Sequence, residues 1–580
     1  MEANAKKSSW ASKGGRQVVL HPILFALNPI LYFYAKSFSF VDAESIVRAT
    51  TLSLVVAALG WVTLRFWLGD LHKSALLTSL TFLLFFTYRA IVDALGDFGW
   101  FPSTQWIPSA HAVLLATMCA VLYGAVALIR KYPVQGAWTY FANVVGTAAV
   151  IFPFLVSGKH TYEAYVIQDT VAWKHESLPV AGTRAMPEPP DIYWILPDAY
   201  ARGDILADLY NYDNKPFLDA LRQRGFTIVP KAVSTYSTTA ASVASALNME
   251  YTQNLVRGVP EDYFDWRLMR RLLHENRLNR FLKTQGYTTY SVEAQNTNVN
   301  WRSDSIVSRW WFLNDYERLL LHHTPISPLS RMLGFSMLHE HHRARTRFGL
   351  DWVGRATDLP GPKFVFVQLV TPHPPFIFDA EGGAVNPPWP YTQMGGLGFY
   401  WMQEGATKKD YHAGYLDQVR FISKRLIEVI DKIQGASERL PIIVLLSDHG
   451  PDAGEWVKDL SRTERHPEII ERFGVLSALS LPGVPPTAVP DDLSTVNTFR
   501  LVLNHYFDTS LDLLEPKTYL IIGSQPYRSI PIDIANNVTS TTLGEMPRPD
   551  NSFPKASSRT TAAGEDRSET PFQADSPIVK

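Results

Sequence analysis

One cysteine among 580 residues, Cys119, removes several chemistries at once. With no second thiol there is no disulfide within the chain, and beyond the apolar run that holds Cys119 no cysteine can serve as nucleophile or thiolate metal ligand. Charge is also scarce, at 19% of residues against 46% hydrophobic. The formal net charge is −1 and no dense basic stripe interrupts the polar part, which argues against a nucleic-acid partner. Internal repeats are lacking.

Long apolar runs are present instead, and they are concentrated at the start. Five segments are long and apolar enough to span a bilayer, approximately 18–38, 46–68, 74–95, 107–129 and 138–157. The first has no small-residue cleavage site and reads as a retained anchor. Lys6, Lys7, Lys13 and Arg16 before the first run, Lys73 after the second, and Arg130 with Lys131 after the fourth belong on the cytoplasmic side. The loop from Asp97 to Gln105 carries no Lys or Arg and belongs outside. An odd number of crossings from an inside amino terminus then places the rest of the chain outside the cell membrane.

After a proline-rich stretch, residues 178–190, the pattern becomes an alternation of strands and helices. Strands are expected at Asp191–Leu196, Phe226–Val229, Lys363–Val370, Pro441–Leu446 and Phe473–Leu481. Helices are expected at Asn214–Arg224, Arg267–Thr284, Tyr415–Gln434 and Ser494–Phe507. Such alternation implies a mainly parallel sheet between helices. The expected organisation is a five-helix transmembrane anchor over 1–160, a linker over 161–190, an α/β domain over 191–535 and a disordered tail over 536–580, which is rich in Ser, Thr, Pro and charge.

The chemistry-bearing residues stand at strand ends. The apolar run Pro441–Leu446 breaks into Ser447, Asp448, His449 and Gly450. The tips of parallel strands are where open α/β sheets hold ligands, and an Asp–His pair offers oxygen and nitrogen donors suited to Zn²⁺ or Mn²⁺. Alone, the segment fits a helix-capping turn equally well. The first strand ends in Leu196, Pro197 and Asp198, so Asp198 leaves its strand as Asp448 leaves its own. The run from Tyr236 to Asn248 opens with hydroxyls at a helix start, where free N–H groups and the dipole favour an anion. His373, between Pro372 and Pro374, follows the strand that ends at Val370.

In this order the four segments resemble the alkaline phosphatase superfamily in its sulfatase-like branch. The likeness is strongest to the membrane-anchored phosphoethanolamine and phosphoglycerol transferases related to lipoteichoic acid synthase, and covers roughly residues 190–485. The resemblance implies an alkaline phosphatase-like fold, with Asp198, Asp448 and His449 as ligands of one divalent metal ion, Zn or Mn. It implies Thr239, in register with Ser242 and Val243, as metal-bound nucleophile, with Thr238 the alternative one residue earlier. It implies that His373 contacts the phosphoryl group or assists the leaving group. The activity implied is phosphoryl-group transfer to or from a membrane lipid or envelope glycan, on the extracytoplasmic side of the cell (inner) membrane.

Several positions depart from the resembled pattern. Ala199 stands where sulfatases carry a second acidic residue, which weakens the case for a second metal. Val243 stands where their arginine is expected, and with no cysteine available sulfate-ester hydrolysis is disfavoured. After Gly450 the usual acid is displaced to Asp452 or Glu455, and His466 is a further candidate ligand. Simple phosphodiester or sulfate-ester hydrolysis, and a catalytically silent relative that binds or senses lipid, are the alternative readings. Residues 296–304 and 382–398 are the expected pocket loops.

Overall fold

The computed structural model describes residues 18–98, 107–134, 136–170, 189–293, 301–387, 407–452, 467–522 and 525–534. Most of the expected linker, part of each expected pocket loop, Glu455, His466 and the tail lie outside the described residues.

The amino-terminal part is helical, with α1 (His21–Ser37), α2 (Val47–Leu68), α3 (Leu71–Asp97), α4 (Pro108–Lys131) and α5 (Gly136–Thr170). Among the described residues four helical stretches are long and apolar enough to cross a membrane, Ala43–Leu68, Leu71–Asp97, Pro108–Lys131 and Gly136–Ile167. The expected count of five is thereby corrected. Helix α1 has 17 residues and contains Pro29, so it falls just short in length. It still packs against α2, α3 and α5, where Asn28 Nδ2 donates to the Ala149 carbonyl at 2.6 Å. The apolar stretches are only 11–33% buried, and large side chains such as Leu52, Leu59 and Phe66 are exposed. A water-soluble bundle would bury that surface.

The second part is built on a seven-stranded sheet. Its strands are β1 (Ile192–Pro197), β2 (Phe226–Ile228), β3 (Thr288–Val292), β4 (Ser305–Val307), β5 (Lys363–Leu369), β6 (Ile442–Leu446) and β7 (Ser477–Ser480), in the order β2-β7-β6-β1-β5-β3-β4. Pairing is parallel except where β7 runs antiparallel to β6 and β2. The sheet is mainly parallel, as its apolar runs predict. Strand β1 is buried throughout, and its alternation divides the core: Ile192, Trp194 and Leu196 join one apolar cluster, Tyr193 and Ile195 the other. Helix Lys408–Ala436 covers the second face with Val419, Ile422, Leu426, Ile430 and Ile433.

Two expected helices are subdivided. Arg267–Thr284 is two helices, Arg267–His274 and Arg277–Thr284, because Asn276 between them accepts from Asn279 N at 2.7 Å and caps the second. The expected Ser494–Phe507 helix opens with a 3₁₀ turn at Thr495–Asn497 before the α-helix Thr498–Tyr506. Past the main sheet, Thr518–Ile522 and Gln525–Ile532 form a separate antiparallel hairpin.

Candidate metal centre

Strands β6, β1 and β5 are adjacent and parallel at the centre of the sheet. Their carboxyl ends therefore open on one edge, and the residues that follow them meet there. Asp448 and His449 follow β6, Asp198 follows β1 and His373 follows β5. Thr239 is the first residue of the helix Thr239–Asn248, preceded by extended Thr238. That geometry presents its hydroxyl beside the free N–H groups of the helix start.

The distances are short. Thr239 Oγ1 lies 3.0 Å from His449 Nε2. His449 Nε2 is 3.2 Å from Asp448 Oδ2 and 3.7 Å from Asp198 Oδ1. His449 Nδ1 donates to the Gly450 carbonyl at 2.9 Å, which leaves the Nε2 lone pair facing Thr239 and the carboxylates. Ligand atoms of Asp198, Asp448 and His449 all lie within 4.8 Å of one another, the one such metal-capable group among the described residues. Thr238 Oγ1 is buried without a hydrogen-bond partner, whereas the His449 contact is made by Thr239.

The donor set fits a divalent cation. Asp198 Oδ1 and Asp448 Oδ2 are buried and receive no hydrogen bond, an arrangement costly for carboxylates unless a cation or proton neutralises them. Burial first, and the neighbouring Asp448 second, hold the Asp198 carboxyl well above the usual carboxylate range. Burial also raises Asp448, opposed by its hydrogen bond with Thr239 and by the Arg472 charge. Burial, then Arg472 and His373, hold the His449 imidazole well below its ordinary value, so it is neutral and able to ligate.

Residues not singled out by the sequence hold the candidate ligands in place. Gln368, the polar side chain within apolar β5, donates from Nε2 to Asp198 Oδ2 at 2.8 Å and leaves Oδ1 turned to the site. Arg472 donates from Nε to the Ser237 carbonyl at 2.8 Å and from Nη1 to the Gly450 carbonyl at 3.0 Å. It thereby ties the Thr239 loop to the Asp448–His449 loop. A lone Gln in a buried strand was a readable signal; nothing local marked Arg472. Gly450 is required sterically, since a Cβ there would meet the Glu471 carbonyl oxygen at 1.9 Å.

Ser242 is occupied with the backbone, donating to the Tyr236 carbonyl at 2.8 Å. Ala199, where a second acid was expected, adopts φ 63, and its carbonyl accepts from Tyr415 OH at 2.9 Å. His373 lies with its ring centroid 6.2 Å from that of His449. Its backbone N–H donates to the Asp198 carbonyl at 3.1 Å, and its Nδ1 donates to the Pro374 carbonyl at 2.6 Å. Burial lowers its pKa to about 4.

The family model described as Sulfatase matches residues 190–491, just over half of the chain. No curated protein matches the sequence. Among solved structures, the chain is similar to the C-terminal periplasmic domain of EptC from Escherichia coli in complex with Zn, at 12% identity and a TM-score of 0.38, covering 62% of this chain and 96% of that one. It is similar to the lipooligosaccharide phosphoethanolamine transferase EptA from Neisseria meningitidis, at 12% identity and a TM-score of 0.36, covering 84% and 95%. A protein of the alkaline phosphatase superfamily from Vibrio parahaemolyticus is similar at 16% identity and a TM-score of 0.35, covering 60% and 76%.

Proposed function

The chain belongs to the Sulfatase family, and from that premise we propose that it is a membrane-anchored, metal-dependent phosphoryl-group transferase with Thr239 as nucleophile. The observation that carries the reading is the convergence of Thr239 Oγ1, His449 Nε2 and two unpartnered buried carboxylate oxygens at one sheet edge. Asp198, Asp448, His449 and Thr239 would hold one divalent ion, Zn or Mn, which when bound supplies Lewis-acid stabilisation of an alkoxide and of phosphoryl charge.

Thr239 attacks phosphorus through Oγ1, breaking the bond to the departing alcohol and leaving a phosphothreonine. The proton of Thr239 must leave for this step; His449 Nε2 would be given to the ion, so the Asp448 carboxylate, which the Thr239 hydroxyl hydrogen-bonds, is the group placed to take it and to return it to the departing alcohol. His373 is suited to the second half. With Nδ1–H engaged by Pro374, its neutral form offers only Nε2, an acceptor that takes the proton of the incoming hydroxyl as the phosphothreonine is cleaved. The free N–H groups at the start of Thr239–Asn248 favour the anionic phosphoryl oxygens. With no cysteine besides Cys119 and with Val243 where sulfatases carry arginine, phosphate esters suit this site better than sulfate esters.

Orientation follows from charge. Arg65, Lys73, Arg130 and Lys131 lie at the ends of α2, α3 and α4 away from the sheet domain, so those ends are cytoplasmic and the sheet domain is extracytoplasmic. The substrate is then an outer-leaflet lipid or an envelope glycan. Metal analysis of the purified full-length protein tests the reading. The expected result is about one Zn or Mn per chain, lost in Asp448→Ala together with ~10²–10³-fold or more of the turnover, the size of removing one preorganised electrostatic group. Active wild-type protein free of metal would refute it.

A further inference from the structure

Two short helices of the sheet domain, Asp315–His322 and Ile326–Met332, are joined at His323–Pro325 and reach into the membrane helices. Tyr316 OH donates to the Ile30 carbonyl of α1 at 2.5 Å. The His323 ring stacks on Phe33 at 4.1 Å, and the His323 carbonyl accepts from Arg89 N of α3 at 3.3 Å. Ile30 lies about two turns, ~10 Å, inside the end of α1, and Arg89 lies ~12 Å inside the end of α3, at 1.5 Å per residue. The hairpin therefore sits below the level at which these helices leave the bundle. It is also anchored at its base, where Arg48 at the start of α2 pairs with Glu317 and donates to the Trp310 carbonyl at 2.7 Å.

The composition matches that depth. From Leu319 to Phe335 the sequence holds no Asp, Glu or Lys and one Arg, Arg331. That arginine donates to the Pro387 carbonyl at 3.1 Å. The outer side of the hairpin is apolar and uncovered: Leu329, Met332, Leu333 and Phe335 are exposed, Leu333 at 68%. At the base, level with the start of α2, Trp310 is 88% exposed and Trp311 is exposed beside it. Large aromatics at the helix ends with aliphatic residues farther in is the order found across a membrane–water interface. The helix Ile326–Met332 packs against membrane helix α4, so the exposed apolar side chains of the hairpin border those of the membrane helices, and what covers those helices covers them as well.

We propose that this hairpin is a membrane-seated wedge, with Leu329–Phe335 in the acyl-chain region of the extracytoplasmic leaflet and Trp310 and Trp311 at its headgroup level. The partner is the lipid bilayer itself. The proposal rests on the membrane-anchored reading above, and it adds that the catalytic domain is docked to the leaflet by its own residues as well as tethered by the bundle. A domain held this way meets lipid headgroups from a fixed height, so its site samples bilayer-bound esters ahead of soluble ones.

The test uses the single native cysteine as its control. In a Cys119→Ser background, full-length protein carrying Leu333→Cys is labelled with a small environment-sensitive fluorophore and reconstituted into phosphatidylcholine vesicles. Protein labelled at native Cys119, exposed on α4, reports the membrane helices, and Glu438→Cys reports water. Quenchers are a phosphatidylcholine with a nitroxide high on its acyl chain, and aqueous iodide. The expected result is loss of the position-333 signal to the lipid quencher and little to iodide, as at Cys119 and opposite to Glu438. Loss to iodide alone at 333, or protection from both quenchers, with Cys119 still quenched by lipid, overturns the wedge and leaves the membrane reading standing. Iodide quenching at both 333 and 119 overturns both.

Discussion

At the scale of single residues, the proposed centre depends on partners that set its candidate ligands in place. Gln368 occupies one Asp198 oxygen so that the other faces the site. Removing it in Gln368→Ala is expected to weaken metal binding by ~10–100-fold, the usual cost of losing a ligand's hydrogen-bond partner, with the circular dichroism spectrum unchanged; competition with a chelator measures it. Protonation gives a second expectation. The folded-state pKa of Asp198 is raised, so its contribution to the stability of the ion-free protein is complete below the unfolded carboxyl value, about 4, and is lost as pH rises through the raised value. A bound ion offsets this by pairing the ionised carboxylates. The rise in melting temperature on adding Zn²⁺ is therefore larger at about pH 8 than at about pH 5, and an equal rise at both would contradict the proposed ligand set. His373 acts in the opposite sense, its pKa lowered from 6.5 to about 4, so stability falls as pH drops through that window. The proposed ligands Asp198, Asp448 and His449 were legible in the sequence because each follows the end of a strand. Arg472 was not, because its role comes from two carbonyls, of Ser237 and Gly450, brought together only by the fold.

At the scale of elements, β1, β5 and β6 were readable from their apolar runs, which in β5 is Phe364–Val367, since strands buried on both faces need no alternation. Helix boundaries were less so. The run Arg267–Thr284 keeps a helical apolar period through Leu268, Leu272, Leu273, Phe281 and Leu282, and period alone cannot reveal the break. The break lies in Asn276, whose side chain caps Arg277–Thr284 while its Nδ2 donates to the Leu273 carbonyl at 2.7 Å. Asn276→Ala is expected to cost about 1 kcal/mol or somewhat more, because a buried cap is lost, read as a lower denaturation midpoint at unchanged metal content. The wedge hairpin escaped the sequence reading for a related reason. Pro325 and Pro328 cut its apolar stretch into pieces too short to register as a span.

At the scale of the molecule, membrane bundle and catalytic domain are one packed body. Arg270, buried in the catalytic domain, donates to the Ser39 carbonyl at 2.7 Å and pairs with Asp42 at 3.0 Å, both between α1 and α2. Phe38 stacks on His160 of α5 at 3.8 Å, and Arg267 donates to the His160 carbonyl at 2.7 Å. These contacts fix the site relative to the membrane helices, which under the proposed function makes the bundle part of how a lipid ester is presented. The central claim is that Thr239 takes up a phosphoryl group, and peptide mass spectrometry of full-length protein incubated with membrane lipid extract tests it most directly. The expected result is a phosphoryl-linked adduct on Thr239, absent after chelation and absent in Thr239→Ala. An adduct on Thr238 instead, or full activity in Thr239→Ala, would contradict it.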